Sequence, residues 1–417
     1  MTMALPTTEP KRSTANLARI PIFDAKLKTV GYELLFHEDV GRDAQHQGTT
    51  RSTSLVLADT LAEFGLETVV GHLPAWVSFP SEYLTEKLPI PIGPKALVIQ
   101  VHADVAENEE ALERLRDLKQ QSYRIVFDSS GHQPSLTEIL KVASITKLEI
   151  HGRAVDEVKR DLAVYSKYST TLLAHRVSRM SDFDACHKLG FNLFQGNFIC
   201  QPEQIQQKRV PTNRVAMMRL MSELYSENPS TERIRNLVQQ DVTLSYRLLK
   251  WLNSSLFSLP HPVESIQHAL VMLGMSRLRN LVSLIVLSRV DDKPAELVTN
   301  CLMRARIGER IACHYNISAE TMFTVGLLSL LDVLIGTPMP QLLETMPLAA
   351  ELQQAILSRE GTCGRLLSGI EAHERGDWSG VEAAGLDLSI LTPAWVDAAI
   401  WVRQIRGMIG NQAGSGK

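Results

Sequence analysis

Leu27-Lys-Thr-Val-Gly-Tyr-Glu-Leu-Leu-Phe36 is the stretch on which the fold of the first half turns. Val30–Phe36 is an apolar and aromatic run of strand length, with one carboxylate, Glu33, near its end. Working outward, further apolar runs follow at Ala75–Phe79, Ala96–Val101, Arg124–Phe127, Lys147–Ile150, Thr171–Ala174 and Phe191–Phe194. Between them, Ser52–Phe64, Glu107–Gln121, Ser135–Ala143 and Asp182–Leu189 carry apolar residues at helical spacing. The last strands start at 124, 147, 171 and 191, a spacing that holds one strand, one loop and one helix. Repeated units of this kind predict a mainly parallel sheet. Seven or eight of them in about two hundred residues fit a closed (β/α) barrel better than the alternative, an open doubly wound sheet.

After Gln201-Pro202 the chain turns polar through Glu203–Pro211, and strand patterns stop. Helical patterns take over at Asn213–Ser226, Ser230–Asp241, Thr243–Ser254, Val263–Leu273, Ser276–Ser288 and Pro294–His314. Ile266, Ala269, Leu270 and Leu273 make one apolar face, and Ser258-Leu-Pro-His-Pro262 before them reads as a turn. Gly361–Gly364 and Gly376–Gly380 read as loops between late helices. The expected class is α/β plus all-α: a disordered 1–17, a barrel over 18–205, a linker at 206–212, a helical domain over 213–406 and a disordered tail at 407–417.

Composition narrows the partners. The 417 residues suit two or three domains, and 43 basic residues against 46 acidic leave a net charge of −3. No block of like charge asks for nucleic acid or an anionic membrane. Met1–Pro10 lacks a charged-then-apolar pattern, so no signal peptide is expected. The most apolar runs, Leu281–Leu287 and Val325–Ile335, are too short for membrane insertion, and Asp332 breaks the second. Five scattered cysteines without a CxxC suit reduced thiols and a cytoplasmic location.

Several residues, taken in order, resemble the motifs of the EAL domain over roughly residues 18–202. They are Arg19-Ile-Pro-Ile-Phe-Asp24, Glu33, Asp128, Lys147 and Gln195-Gly196, the last followed by Gln201-Pro202. That resemblance implies an EAL-type barrel that hydrolyses cyclic di-GMP with two divalent metals at the strand ends. It also exposes departures. The family's arginine is His37, its asparagine Ser78, its next glutamate Gln100, its second aspartate Ser129 and a later glutamate His175. Glu33 and Asp128 are the clear surviving carboxylates, with Glu149 an uncertain third.

Two or three carboxylates are few for two dications. This count predicts a degenerate EAL domain with no catalytic residues and no cofactor, apart from weak Mg or Mn if residual activity exists. His37, His102 and His175 near Glu33 and Asp128 suit zinc, iron or manganese, although polar fillers of an abandoned site are the plainer reading. Losing the forked donor at His37 disfavours cyclic di-GMP as a ligand. Lys147 remains as a point charge, or as a strand cap, or as a partner of Glu149.

The second half, 212 to about 400, resembles the HDOD domain. The resemblance rests on Gln239–Ser254, Phe257-Ser-Leu-Pro260, Ile266–Gly274 and Arg277-Leu-Arg-Asn280. It implies an all-helical fold related to HD phosphohydrolases. No His-Asp dipeptide occurs in the chain, and Gly326-Leu-Leu-Ser-Leu-Leu-Asp332 stands where one would fall. Asp332 alone is read as a helix cap or a solvent-facing residue. Ser276–Val290, with Arg277, Arg279 and Arg289 at its ends, reads as a core helix before a docking helix. Trp395 and Trp401 likewise read as core.

Together the resemblances point to the bacterial EAL–HDOD signalling proteins. The expectation is a catalytically inactive scaffold that works through contacts with other signalling proteins in cyclic di-GMP-linked motility or biofilm formation. A receptor that binds without cutting, and a residual metal-dependent phosphodiesterase, stay open as alternatives.

Overall fold

The computed structural model describes residues 16–37, 65–129, 136–201, 212–226, 228–240, 274–287, 293–346 and 348–410. Eight strands close into a barrel in chain order: β1 Asn16–Asp24, β2 Thr29–His37, β3 Ala75–Ser78, β4 Leu97–Val101, β5 Arg124–Ser129, β6 Ile145–Glu149, β7 Thr171–His175 and β8 Leu193–Gln195. β2 to β8 run parallel, and β1 pairs antiparallel with β2 on one side and β8 on the other. Closure rules out the open sheet. β1 was visible in sequence only as a motif: Arg19 and Pro21 interrupt its apolar run.

Strand alternation sorts the barrel into layers. Ile22, Trp76, Val98, Val126, Ile145 and Leu173 form a small separate core, one residue from each of six strands. Their strand neighbours Val77, Ile99, Ile125, Phe127 and Leu148 belong to the large core shared with the helices. A period of two therefore places Ser78, Gln100, Asp128, Lys147 and His175 on the same face as Trp76, Val98, Val126, Ile145 and Leu173, one step toward the carboxyl ends. That end is where a parallel barrel carries its chemistry.

The helices Glu109–Gln120, Thr137–Val142 and Met180–Lys188 lie where helical spacing placed them. Asn108 caps the first, its side chain accepting the Ala111 amide at 3.1 Å. A further helix, Val155–Tyr165, was not foreseen. The pattern at Ser52–Phe64 lies outside the described residues.

No strand occurs among the described residues of the second half. Its helices Thr212–Leu224, Thr231–Gln239, Met275–Leu287 and Ala295–Ile311 match the expected ones. Residues 241–273, with most of the stretch that carries the HDOD resemblance, lie outside the described residues. Met275–Leu287 is a core helix, burying Leu278, Leu281 and Val282, and Trp395 is buried too. The loop read at Gly361–Gly364 is corrected: these residues open the helix Gly361–Glu374. Glycine is a poor helix former, but a Cβ at Gly364 would lie 2.2 Å from the Arg359 carbonyl carbon, so close packing selects it. Likewise Gly380 lies inside the helix Trp378–Ala383.

The two halves touch along β1 and β2. Thr392 Oγ1 lies 2.8 Å from Asn16 Oδ1 in a buried contact, and Tyr32 donates its hydroxyl to Glu296 at 2.9 Å. His373 is fully buried among Trp378 and Trp395, with neither ring nitrogen in a hydrogen bond of good geometry. Burial holds its pKa down at about 4, and the Leu17 backbone only partly offsets this. The unfolded chain takes up this proton near pH 6.5, so stability should fall as pH drops from 6.5 toward 4. His373→Leu should flatten that acid slope by about 1.4 kcal/mol per pH unit. Urea midpoints of both proteins at pH 7 and pH 5 check it, and equal slopes would refute it.

Candidate active site

Glu33 of β2 is the hub of the layer above the apolar plug. Lys147 Nζ of β6 lies 2.8 Å and 3.1 Å from its two carboxylate oxygens and 3.1 Å from Asp128 Oδ2. Gln195 of β8 donates to Glu33 Oε2 at 2.7 Å. Gln100 of β4 donates through Nε2 to Glu33 Oε1 at 2.9 Å, to Asp128 Oδ2 at 3.2 Å and to Ser78 Oγ at 3.2 Å. Six strands thus contribute to a cluster built on two carboxylates and one ammonium.

The electrostatics follow from that convergence. Burial pushes the Glu33 carboxyl up, but the charges of Lys147 and His175 and the Lys147 and Gln195 hydrogen bonds outweigh it and bring it down to about 2. Burial also works against the Lys147 ammonium, yet Glu33 and Asp128 hold its pKa above the ordinary lysine value. His175 is brought down to about 4 by burial and then by Lys147, so its imidazole is neutral at pH 7. Near neutrality the Glu33 anion and the Lys147 cation therefore face a neutral imidazole.

Gly196 lets the site close. At φ +151° it follows Gln195, and a Cβ there would fall 2.1 Å from the Val177 carbonyl oxygen. The Val177 amide donates to the Gln195 carbonyl at 2.9 Å, so the end of β8 lies flat on the chain leaving β7. Only glycine fits.

Not every residue singled out in sequence reaches this cluster. Glu149 pairs with Arg176 at 2.7 Å instead of joining as a third carboxylate or as the partner of Lys147. Ser129 faces the other side of the sheet, 2.7 Å from the Tyr165 hydroxyl. His37 ends β2 opposite Asn16. His102 is exposed and lies 3.5 Å from Ser78 Oγ. Among the described residues no group of three or more His, Cys, Asp or Glu is placed to hold a metal ion, so the three-histidine reading finds no support.

Gln100, at the position of a family glutamate, links both carboxylates. Its Oε1 and that of Gln195 are buried and accept no hydrogen bond. Amide carbonyl oxygens are hard donors, so this layer offers a hard divalent ion two carboxylates and two neutral oxygens.

In the helical half, Asp332 Oδ1 accepts the Val333 amide at 2.8 Å in the first turn of Leu331–Ile335. The N-cap position itself is Leu330, so Asp332 lies inside the first turn and does not cap the helix. Ser329, in the Gly-Leu-Leu-Ser segment, lies 3.2 Å from Arg304 Nη1.

Comparison with known proteins finds relatives that span nearly the whole chain. The HDOD domain family model matches residues 210–361. The cyclic di-GMP phosphodiesterase CdgJ of Vibrio cholerae is 31% identical over 95% of this chain and 94% of its own length. The uncharacterized protein YuxH of Bacillus subtilis is 25% identical over 93% of this chain and 98% of its own. A solved EAL domain protein from Listeria monocytogenes aligns over 47% of this chain and 93% of its own, with 18% identity and a TM-score of 0.36.

The Vibrio relative, which spans nearly the whole chain, overturns three expectations: the inactive scaffold, the absence of an enzyme, and the disfavouring of cyclic di-GMP. The physical reason is that carboxylates are not the sole oxygen donors of such a layer. Neutral oxygens also coordinate hard cations, and Gln100 joins the cluster from the position of a missing glutamate.

Proposed function

The chain belongs to the EAL–HDOD family of bacterial signalling proteins, and from that premise we propose that it is a metal-dependent cyclic di-GMP phosphodiesterase. The observation that carries the proposal is the 31% identity to a cyclic di-GMP phosphodiesterase over 95% of the chain. The Glu33 cluster at the carboxyl ends of the strands supports it.

Glu33, Asp128 and Gln100 Oε1 are the residues that would hold a magnesium or manganese ion. When bound, such an ion polarises a phosphate oxygen and lowers the pKa of water. Lys147 bridges both carboxylates and holds them together, and its charge keeps Glu33 ionised. Gln195 fixes the rotamer of Glu33 by occupying Oε2. Neutral His175 is a proton acceptor on the adjacent strand. With so few carboxylates, metal affinity is expected to be low, and turnover should rise with added Mg or Mn well beyond the point where a carboxylate-rich site saturates.

The same proposal keeps a barrel unit and a helical unit joined by a linker, with the expected bounds 18–205, 206–212 and 213–406 widened to the start of β1 at Asn16, the first helix at Thr212 and the last helix's end at Gly410. No helix among the described residues is long and apolar enough to cross a membrane, and a cytoplasmic location is part of the proposal.

The test is cleavage of cyclic di-GMP by the purified full chain, followed by chromatography of the linear dinucleotide. Turnover should require Mg or Mn, stop with chelator, and fall by about a thousandfold or more in Glu33→Ala. Failure to cleave at any metal concentration, in a folded sample, would defeat the proposal.

A further inference from the structure

Successive residues of a strand face opposite sides, and β2 uses both. Glu33 faces the cluster inside the barrel. Its neighbour Tyr32, only 4% exposed, faces outward into the helical half. The Tyr32 hydroxyl donates to Glu296 Oε2 at 2.9 Å, and Thr29 Oγ1, also on β2, lies 3.5 Å from the same oxygen. Glu296 is 3% exposed and sits in the first turn of the helix Ala295–Ile311. Its cationic neighbour is Arg406, at 3.9 Å from the helix Leu388–Gly410. The Arg19 guanidinium of β1 lies 4.5 Å over the Tyr32 ring and 5.7 Å from the Trp395 ring, pressing the tyrosine between barrel and helices.

This contact differs from ordinary surface packing. A buried carboxylate needs donors, and Tyr32 is the short one. The two partners are 264 residues apart in sequence, so only the assembled halves can make the bond. On the barrel side it grips the backbone unit that carries Glu33. A displacement of the helix Ala295–Ile311 would be felt at Glu33 one residue away.

We propose that Tyr32 and Glu296 are positioning residues through which the helical half sets Glu33 for phosphodiester cleavage. The proposal rests on the phosphodiesterase reading and deepens it, making the helical half a control element for the barrel. A ligand or partner that shifts the helix Ala295–Ile311 would thereby change turnover without entering the barrel.

The experiment uses full-length Tyr32→Phe, Glu296→Ala, Glu296→Gln, the double variant Tyr32→Phe/Glu296→Ala, and Thr392→Val. Thr392→Val removes a buried hydrogen bond of the same interface that is made to β1. Tyr32→Phe and Glu296→Ala should each lower kcat about tenfold with KM for cyclic di-GMP within about twofold, the range seen when supports of a reacting group are removed. The double variant should be no worse than either alone. Glu296→Gln, whose amide oxygen still accepts the phenol, should restore most of kcat, and Thr392→Val should leave it unchanged. Wild-type kcat in Tyr32→Phe, or an equal loss in Thr392→Val, would overturn the proposal.

If the wild-type chain shows no turnover, the phosphodiesterase reading fails first. The strut then stands or falls on hydrogen exchange of the β2 amides at 32 and 33. Exchange should quicken in Glu296→Ala and not in Thr392→Val, and unchanged exchange would sink it.

Discussion

Lys147→Met should destabilise the chain by about 3–5 kcal/mol at pH 7, the range for removing one partner of a buried charge pair. Lys147 is 2% exposed and touches both Glu33 and Asp128. Without it, two carboxylates share a buried site with no cation in contact, and two amides cannot replace a full charge. The effect has a sign in pH. In the wild type the Glu33 carboxyl is lowered from 4.5 to about 2, so its contribution is fully present above pH 4.5 and disappears as pH falls toward 2. In Lys147→Met the largest remaining influence is burial, which raises the carboxyl, so mild acid should now help the folded state. The double variant Lys147→Met/Glu33→Gln should recover much of the loss, since a neutral pair has no ion to desolvate. Urea melts of the single and double variants at pH 7 and pH 5 decide it. A single variant as stable as the wild type would mean that the cluster is open to water and that its charges are screened.

The parallel part of this barrel was legible because its strands are short, apolar and evenly spaced, and β2 to β8 fall on those runs. The candidate layer was legible for the same reason. Glu33 and Lys147 at the middle of β2 and β6, Asp128 near the end of β5 and Gln195 at the end of β8 are carried by period two to one face. Alternation also explains why Ser129, one residue from Asp128, was never going to reach the site.

What could not be read was set by contacts between distant segments. Nothing near Tyr32 announces Glu296, and nothing near Gln100 says that its amide will bridge two acids on other strands. The expectation of inactivity failed at that point. The packed layer, not the residue type alone, decides what a glutamine contributes. Gly361–Gly364 failed similarly, because intrinsic propensity spoke for a loop and a close contact with Arg359 spoke louder.

The helical half hides a second buried ion cluster, and Arg304→Met should cost it about 3–5 kcal/mol. Arg304 is 4% exposed. Its Nε lies 2.9 Å from Glu374 Oε1, and Nη2 lies 2.7 Å from Glu374 Oε2, a forked pair that lysine could not reproduce. Nη1 donates to Glu371 at 2.7 Å and to Ser329 at 3.2 Å. The helices carrying this cluster cannot shift to relieve the loss. Gly326 packs so closely that a Cβ there would lie 2.5 Å from the Arg304 carbonyl carbon.

The two acids should respond differently. Glu371 keeps Arg359 at 2.9 Å. Burial already raises the Glu374 carboxyl despite Arg304, so in the variant, without that cation, it should be raised further. Arg304→Met/Glu374→Leu should therefore regain most of the stability, whereas Arg304→Met/Glu371→Leu should regain little. Hydrogen exchange would localise the loss to the helices Ala295–Ile311, Ala319–Leu328 and Gly361–Glu374, with β4 to β7 of the barrel protected as before. Equal rescue by both double variants would show that the cluster acts as a diffuse charge balance rather than as a forked Arg304–Glu374 pair.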